Sequence, residues 1–266
     1  MTVLYAWLNY AWTASVVLQA VVCVILILRG HFRKLPVFTA YIALNLCQAV
    51  FLYLVYGHYG RASHMAFESA WWSEAITLLL RVFATLELLH IALVSYRGIW
   101  GLTWRVLAGI SLVTLFCVEV ASRGDALWAL MEADRGYHLI FAVALTGCLA
   151  LIRYYGIQVA TVYKVLLTGF CFYSCIKILV NTVLQSVLYP HFAQFELIWQ
   201  NITIFPYVAV TALWAAALAW PLPAAAKKQT TLPDFAYRRI APEINYQLQA
   251  INEQLMKFWK IGDSRS

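Results

Sequence analysis

Residues 165–188 read VLLTGFCFYSCIKILVNTVLQSVL, and they carry a single formal charge, Lys177, near their middle. A helix needs about 20 mostly apolar residues to cross a bilayer, so this stretch is long enough to do so. A second stretch, Trp71 to Val94, has the same character but holds Arg81 and Glu87. A charge at membrane depth costs on the order of 2.5–3.5 kcal/mol even on the lenient insertion scale, so such groups turn toward the protein interior and find partners. The two stretches together imply an all-helical bundle in lipid with polar chemistry inside it.

Composition agrees. Of 266 residues, 63% are hydrophobic and 12% charged, and the mean hydropathy is +0.73. A soluble domain carries roughly 25% charged residues. Apolar runs lie near residues 4–28, 37–56, 71–94, 102–120, 139–155, 162–188 and 197–220, which predicts a seven-transmembrane-helix bundle over residues 1–221. The six cysteines, Cys23, Cys47, Cys117, Cys148, Cys171 and Cys175, all fall inside these runs. They lack the paired spacing of a disulfide framework or a metal knuckle and read as small packing residues.

The formal charge of +7 resides at segment ends, so it reflects topology and gives no support to nucleic-acid binding. No basic residue precedes the first run, whereas Arg29, Arg33 and Lys34 follow it, unlike a signal peptide. This places the N-terminus outside. Arg29, Arg33, Lys34, Arg97, Arg105, Arg153 and Lys164 then face the cytoplasm, against Arg61, Arg123 and Arg135 outside, as the positive-inside rule requires. An odd number of spans puts the basic tail inside as well. Trp7, Trp12, Trp71, Trp72, Trp100, Trp104 and Trp220 sit where span ends meet headgroups. The outer connections, Gly57 to Ala70 and Ala121 to His138, are too short for an extracellular domain, so recognition is expected within or just above the bundle.

Positions three and four apart share a helix face. The sixth run shows Ser174, Lys177, Asn181 and Gln185 at those steps. The third shows Glu74, Thr77, Arg81 and Thr85 on one stripe, with Glu87 and His90 on another. The second offers Tyr41, Asn45 and Gln48, and the seventh Glu196, Gln200, Asn201 and Thr203. With a rise of about 1.5 Å per residue from Arg97 and Lys164, Glu87 lies roughly 15 Å deep, Lys177 roughly 19 Å and Arg81 about 24 Å. Similar depth suggests a Glu87–Lys177 ion pair, leaving Arg81 toward the outer half and open to an anionic or carbonyl ligand. The expected intramembrane site is Lys177, Glu87, Arg81, His90, Asn181, Gln185, Asn45, Gln48 and Asn201. The competing reading is that these polar faces only hold helices together through hydrogen bonds.

Several chemistries are set aside. Glu87 and His90 form one E-x-x-H pair, but a di-metal bundle needs a second pair and further carboxylates. His90 is the only histidine well inside an expected span, so no metal is expected, and the zinc sites of the ceramidase and adiponectin-receptor kind cannot be assembled. Seven spans with an outside N-terminus resemble microbial rhodopsins, whose retinal sits on a lysine of the last span. That run has no lysine here, and a Schiff base on Lys177 with Glu87 as counter-ion is the weaker reading, so no cofactor is expected. No nucleotide loop, catalytic triad or nucleophile elbow occurs, which points away from an enzyme.

Past Pro221 and Pro223, residues 222–241 read as a linker, residues 242–260 as an amphipathic helix and residues 261–266 as a tail. Ile244, Leu248, Ile251, Leu255 and Phe258 recur at steps of four and three, the spacing of a short coiled coil. Lys257, Trp259 and Lys260 also suit a helix lying on the inner leaflet. In architecture the chain resembles seven-transmembrane input modules of bacterial sensor proteins, here without the output domain. That resemblance implies a receptor-like sensor binding a small ligand, lipid or proton and signalling through its C-terminal helix to a protein partner. It transfers no residue's role. A non-catalytic subunit of a larger membrane complex or a homo-oligomer is the alternative. A transporter comes third, since Pro206 is the only clear helix breaker.

Overall fold

The stretch around Lys177 forms a helix, α6 (Thr161–Val183), in a computed structural model that describes residues 2–60, 63–93, 97–122, 126–154, 157, 159–183, 192–220, 250–251 and 253–254. The described residues hold six more helices: α1 (Thr2–Leu28), α2 (Pro36–Tyr59), α3 (His64–Leu93), α4 (Arg97–Ser122), α5 (Ala126–Tyr154) and α7 (Phe192–Leu218). The protein is therefore all-α. Helices α1 to α6 each contain a stretch long and apolar enough to cross a membrane, and α7 contributes a shorter apolar segment, Ile202–Leu218. Length and hydropathy make it an integral, polytopic membrane protein.

Local chemistry sets several ends. Gly30 (φ 65°), in the left-handed region that glycine enters without steric cost, closes α1 and leads into a 3-10 turn at His31–Arg33. Pro36 then opens α2 at its first turn, where a missing N–H costs nothing. At the far end, Gly60 (φ 78°) returns its N–H to the Tyr56 carbonyl at 3.1 Å.

Helix α3 packs against α2, α5 and α6, while α7 closes the other side by packing on both α1 and α6. Helix α4 rests mainly on α5 and stands apart: 6% of its apolar span is buried, against 28–50% for the other five. The core gathers Phe38 and Tyr41 of α2, Phe170 of α6 and Trp214 of α7, with ring centroids 4.7 Å apart for Phe170–Trp214 and 5.4 Å for Phe38–Trp214. Gly169 permits this approach, because a β-carbon there would collide with Trp214 Nε1.

Two spans begin well before the hydropathy runs indicate. Helix α3 starts at His64, not Trp71, and α5 at Ala126, not Leu139. The segment Glu132-Ala-Asp-Arg135 depresses the local hydropathy, yet Met131, Asp134, His138, Phe141, Leu145, Cys148 and Ile152 form one continuous buried stripe along α5. The stretch expected as an outer connection is largely helix. Of the expected 242–260 helix, residues 250–251 and 253–254 are described as helical, with Ile251 exposed. Ile244, Leu248, Leu255 and Phe258, like the 222–241 linker and Gln185, lie outside the described residues.

Candidate functional site

Arg81 is the centre of the polar interior. The α3 stripe aims it at α2, α5 and α6, and its side chain is 2% exposed. Its Nε donates to the Tyr41 hydroxyl at 3.3 Å, Nη2 to Glu74 Oε1 at 3.1 Å and Nη1 to His138 Nε2 at 3.0 Å. The guanidinium carbon also lies 5.8 Å from the Tyr41 ring centre and 5.3 Å from that of Tyr173, within cation–π range. Asp134 Oδ1 stands 3.9 Å from Nη1. Each of the three guanidinium nitrogens has a partner, so Arg81 is held inside the bundle by α2, α3 and α5.

An arginine can only donate, so His138 Nε2 must accept. On that assignment the imidazole is neutral with its proton on Nδ1, which donates to Ser174 Oγ of α6 at 3.3 Å. His138 Nε2 also faces Asp134 Oδ1 at 3.4 Å, one turn away along α5. That oxygen is buried and has no hydrogen-bond partner among the described residues. The other, Oδ2, accepts from Asn181 Nδ2 at 2.8 Å.

Lys177 completes the cluster from α6. Its Nζ lies 3.8 Å from Glu74 Oε1 and 4.0 Å from Asp134 Oδ2. Glu74 Oε2 accepts from Gln48 Nε2 of α2 at 3.3 Å, and Gln48 Oε1 accepts from Thr77 Oγ1 at 2.9 Å. Two cations thus face two carboxylates, and the interior balances when both acids are ionised. The cluster has a closed and an open side. Asp134 and His138 are as buried as Arg81, whereas Lys177 is 12% and Glu74 22% exposed.

The Glu87–Lys177 pair does not form. Glu87 lies six residues from Arg81, about 120° around the helix at roughly 100° per residue, so similar depth to Lys177 still leaves it on another face. Its carboxylate instead takes the Val37 N–H at 3.1 Å and the Phe38 N–H at 2.8 Å. These are orphan donors of the first turn of α2, whose own N-cap residue, Leu35, offers no side-chain acceptor. A negative group there also complements the helix dipole. Glu87 is a cap supplied by a neighbouring helix. His90 lies beside it with its ring 4.8 Å from Trp100, and both residues line a groove of about 620 Å³ with Pro36 and Trp104.

Of the expected site, Arg81, Lys177, Asn181 and Gln48 converge. Asn45 is buried close by but donates to the Tyr41 carbonyl of its own helix at 2.7 Å. Asn201 falls on α7, with its side chain outside the described residues. Asp134 and His138 join from a stretch expected to be a loop, and Glu74 gains a role its stripe alone did not give it. Among the described residues, no three His, Cys, Asp or Glu side chains gather as a metal site. Comparison with protein-family models, curated proteins and solved structures finds no match. Fold and site define the chain as a polytopic helical membrane protein with a buried, charge-balanced network.

Proposed function

We propose that the protein is a receptor-like membrane sensor in which a small ligand, lipid or proton acts on the charged cluster and shifts α6 and α7, with the C-terminal helix passing the change to a partner. The observation that carries this reading is the loose closure at Lys177. Charge-assisted N–H···O bonds normally run 2.7–2.9 Å, whereas this ammonium stands 3.8 and 4.0 Å from its carboxylates on the side where Glu74 is partly exposed. Arg81 locks one half of the network and Lys177 leaves the other half able to rearrange. Energetics support the reading, because apolar residues of similar shape would hold the same helices at lower desolvation cost. We place the N-terminus outside and the tail in the cytoplasm on the distribution of basic residues.

A test uses the full chain in nanodiscs and follows trypsin cleavage at Lys227 and Lys228, just past α7. Lys177→Met is expected to change that rate severalfold, Glu74→Gln/Lys177→Met to return it toward the parent, and Gly109→Ala, in open space on α4, to leave it unchanged. Equal cleavage in all four proteins would refute the sensor reading and favour helix glue. A second reading, a non-catalytic subunit of a membrane complex, draws on α4, whose 6% burial leaves most of its span available to another chain.

A further inference from the structure

Between α4 and α5 lies a second cleft, of about 1110 Å³, which reaches inward to Ile178 and Thr182 of α6. Pockets for small molecules run roughly 300–1,000 Å³, so this one is large. Its walls are apolar, with Val106, Ile110 and Val113 from α4 facing Leu139 and Val143 from α5. Glu132 and Arg135 occupy the end toward the start of α5, paired at 2.9 Å, with the arginine side chain 40% exposed. At Gly136 the two helices touch, since a β-carbon there would lie 2.7 Å from Thr114 Cγ2. At Gly147, farther along the cleft, a β-carbon would meet nothing within 4 Å.

We propose that this cleft is a binding site for a phospholipid with an amine-bearing zwitterionic headgroup, of the phosphatidylethanolamine type. The α5 span, Trp128–Tyr154, has 27 residues, or about 40 Å at the helical rise, which covers the hydrocarbon core plus the headgroup layers. Glu132 and Arg135 then lie about 6 and 10 Å from its start, just beneath the headgroup layer and within reach of it for a long arginine side chain. From Arg135 to Leu151 the cleft follows α5 for about 24 Å, room for an acyl chain beneath the head. Lipid tails are as apolar as the cleft wall, so burying a chain there gains little over the bilayer. Selection therefore rests on the head. An i,i+3 ion pair near the surface contributes only about 0–1 kcal/mol to the fold, and a guanidinium with five N–H donors can engage a phosphate while keeping the partners it has, as Glu132 accepts from an ammonium. The Glu132–Arg135 pair presents one charge of each sign and so complements a zwitterion better than an anion. Because Asp134, His138, Lys177 and Asn181 lie on the other face of these same α5 and α6 turns, the lipid would sit directly behind the charged cluster, although its binding does not depend on the sensor reading.

Native mass spectrometry of the delipidated full chain, titrated in parallel with phosphatidylethanolamine, phosphatidylcholine and phosphatidylglycerol, tests the proposal. Phosphatidylethanolamine is expected to be retained about tenfold better than the other two, equivalent to ~1.4 kcal/mol. Arg135→Gln should abolish the preference, and Glu132→Gln should turn it toward phosphatidylglycerol. Gly147→Trp, which fills the cleft where open space exists, should reduce retention of all three. Equal retention of the three lipids by the parent chain, or a preference unchanged by both Arg135→Gln and Glu132→Gln, would overturn the proposal. So would a cross-link from Cys117, on the cleft wall, to a second copy or another protein in native membranes.

Discussion

Replacing Glu87 by alanine removes the acceptor for two backbone N–H groups at the start of α2, held at 3.1 and 2.8 Å. Hydrogen bonds to a charged group contribute about 1.5–3 kcal/mol each. The carboxylate lines a surface groove, so water or headgroups can reach the vacated donors and return part of that loss. Glu87→Ala should therefore destabilise by about 2–4 kcal/mol, more than the usual ~1 kcal/mol for a lost surface cap. Glu87→Gln keeps one carbonyl acceptor but turns an amide toward the second donor, and should cost about half as much. Two readouts apply: equilibrium unfolding in mixed micelles, and amide exchange at Val37 and Phe38, which should quicken in the alanine variant while Val82 and Leu89 stay protected. A Glu87→Gln/Lys177→Met cycle should be additive within ~0.5 kcal/mol, because the two groups do not meet. Unchanged exchange at Val37 and Phe38 would refute the cap, and a coupling above about 1 kcal/mol would restore the ion pair that depth alone suggests.

Other outcomes follow from the same structure. Gly169→Ala forces a methyl group against Trp214 and should cost about 1–3 kcal/mol by thermal unfolding, whereas Gly109→Ala, in open space on α4, should be neutral or stabilising by up to ~1 kcal/mol. Ser174→Ala leaves the buried His138 Nδ1–H without its partner and should cost about 1–3 kcal/mol, with a change of tautomer visible in the nitrogen NMR spectrum of the ring. His31, buried in the turn before α2, is pushed below its ordinary value of 6.5 chiefly by desolvation, with Lys34 and Arg29 adding to it against the pull of the Leu218 and Trp220 backbone. Its neutral ring therefore contributes stability that is present above 6.5 and lost as pH falls through the lower folded value, with a slope of at most ~1.36 kcal/mol per pH unit. Melting of His31→Gln against pH should lack that acid-side component.

Much of this site is written in helical periodicity, and what is hidden has a physical cause. Ser174, Lys177 and Asn181 recur at steps of three and four, as do Glu74, Thr77 and Arg81, so the faces of α6 and α3 are legible without coordinates. Asp134 and His138 are not legible by hydropathy, because three charged residues, Glu132, Asp134 and Arg135, depress the average just where the helix enters the headgroup layer. Periodicity would have found them: Asp134 and His138 continue the Phe141, Leu145, Cys148 and Ile152 stripe at steps of four, three, four, three and four. Depth placed Glu87 level with Lys177, but depth does not carry rotation, and about 120° of rotation separates Glu87 from the Arg81 stripe. Partner choice was the illegible part. It depends on which helices pack on α3, and that is a property of the whole bundle.

The charge balance of the interior is most directly tested by the Glu74/Lys177 double-mutant cycle, measured as unfolding free energy in mixed micelles at pH 7. Lys177→Met alone strands one carboxylate and Glu74→Gln alone strands one cation, each costing about 3–5 kcal/mol for a buried pair, less whatever the partly exposed Glu74 recovers from water. The double replacement restores neutrality and should cost no more than either single change, giving a coupling of about 3 kcal/mol or more. Additive single effects, or a Lys177→Met variant as stable as the parent, would contradict the account.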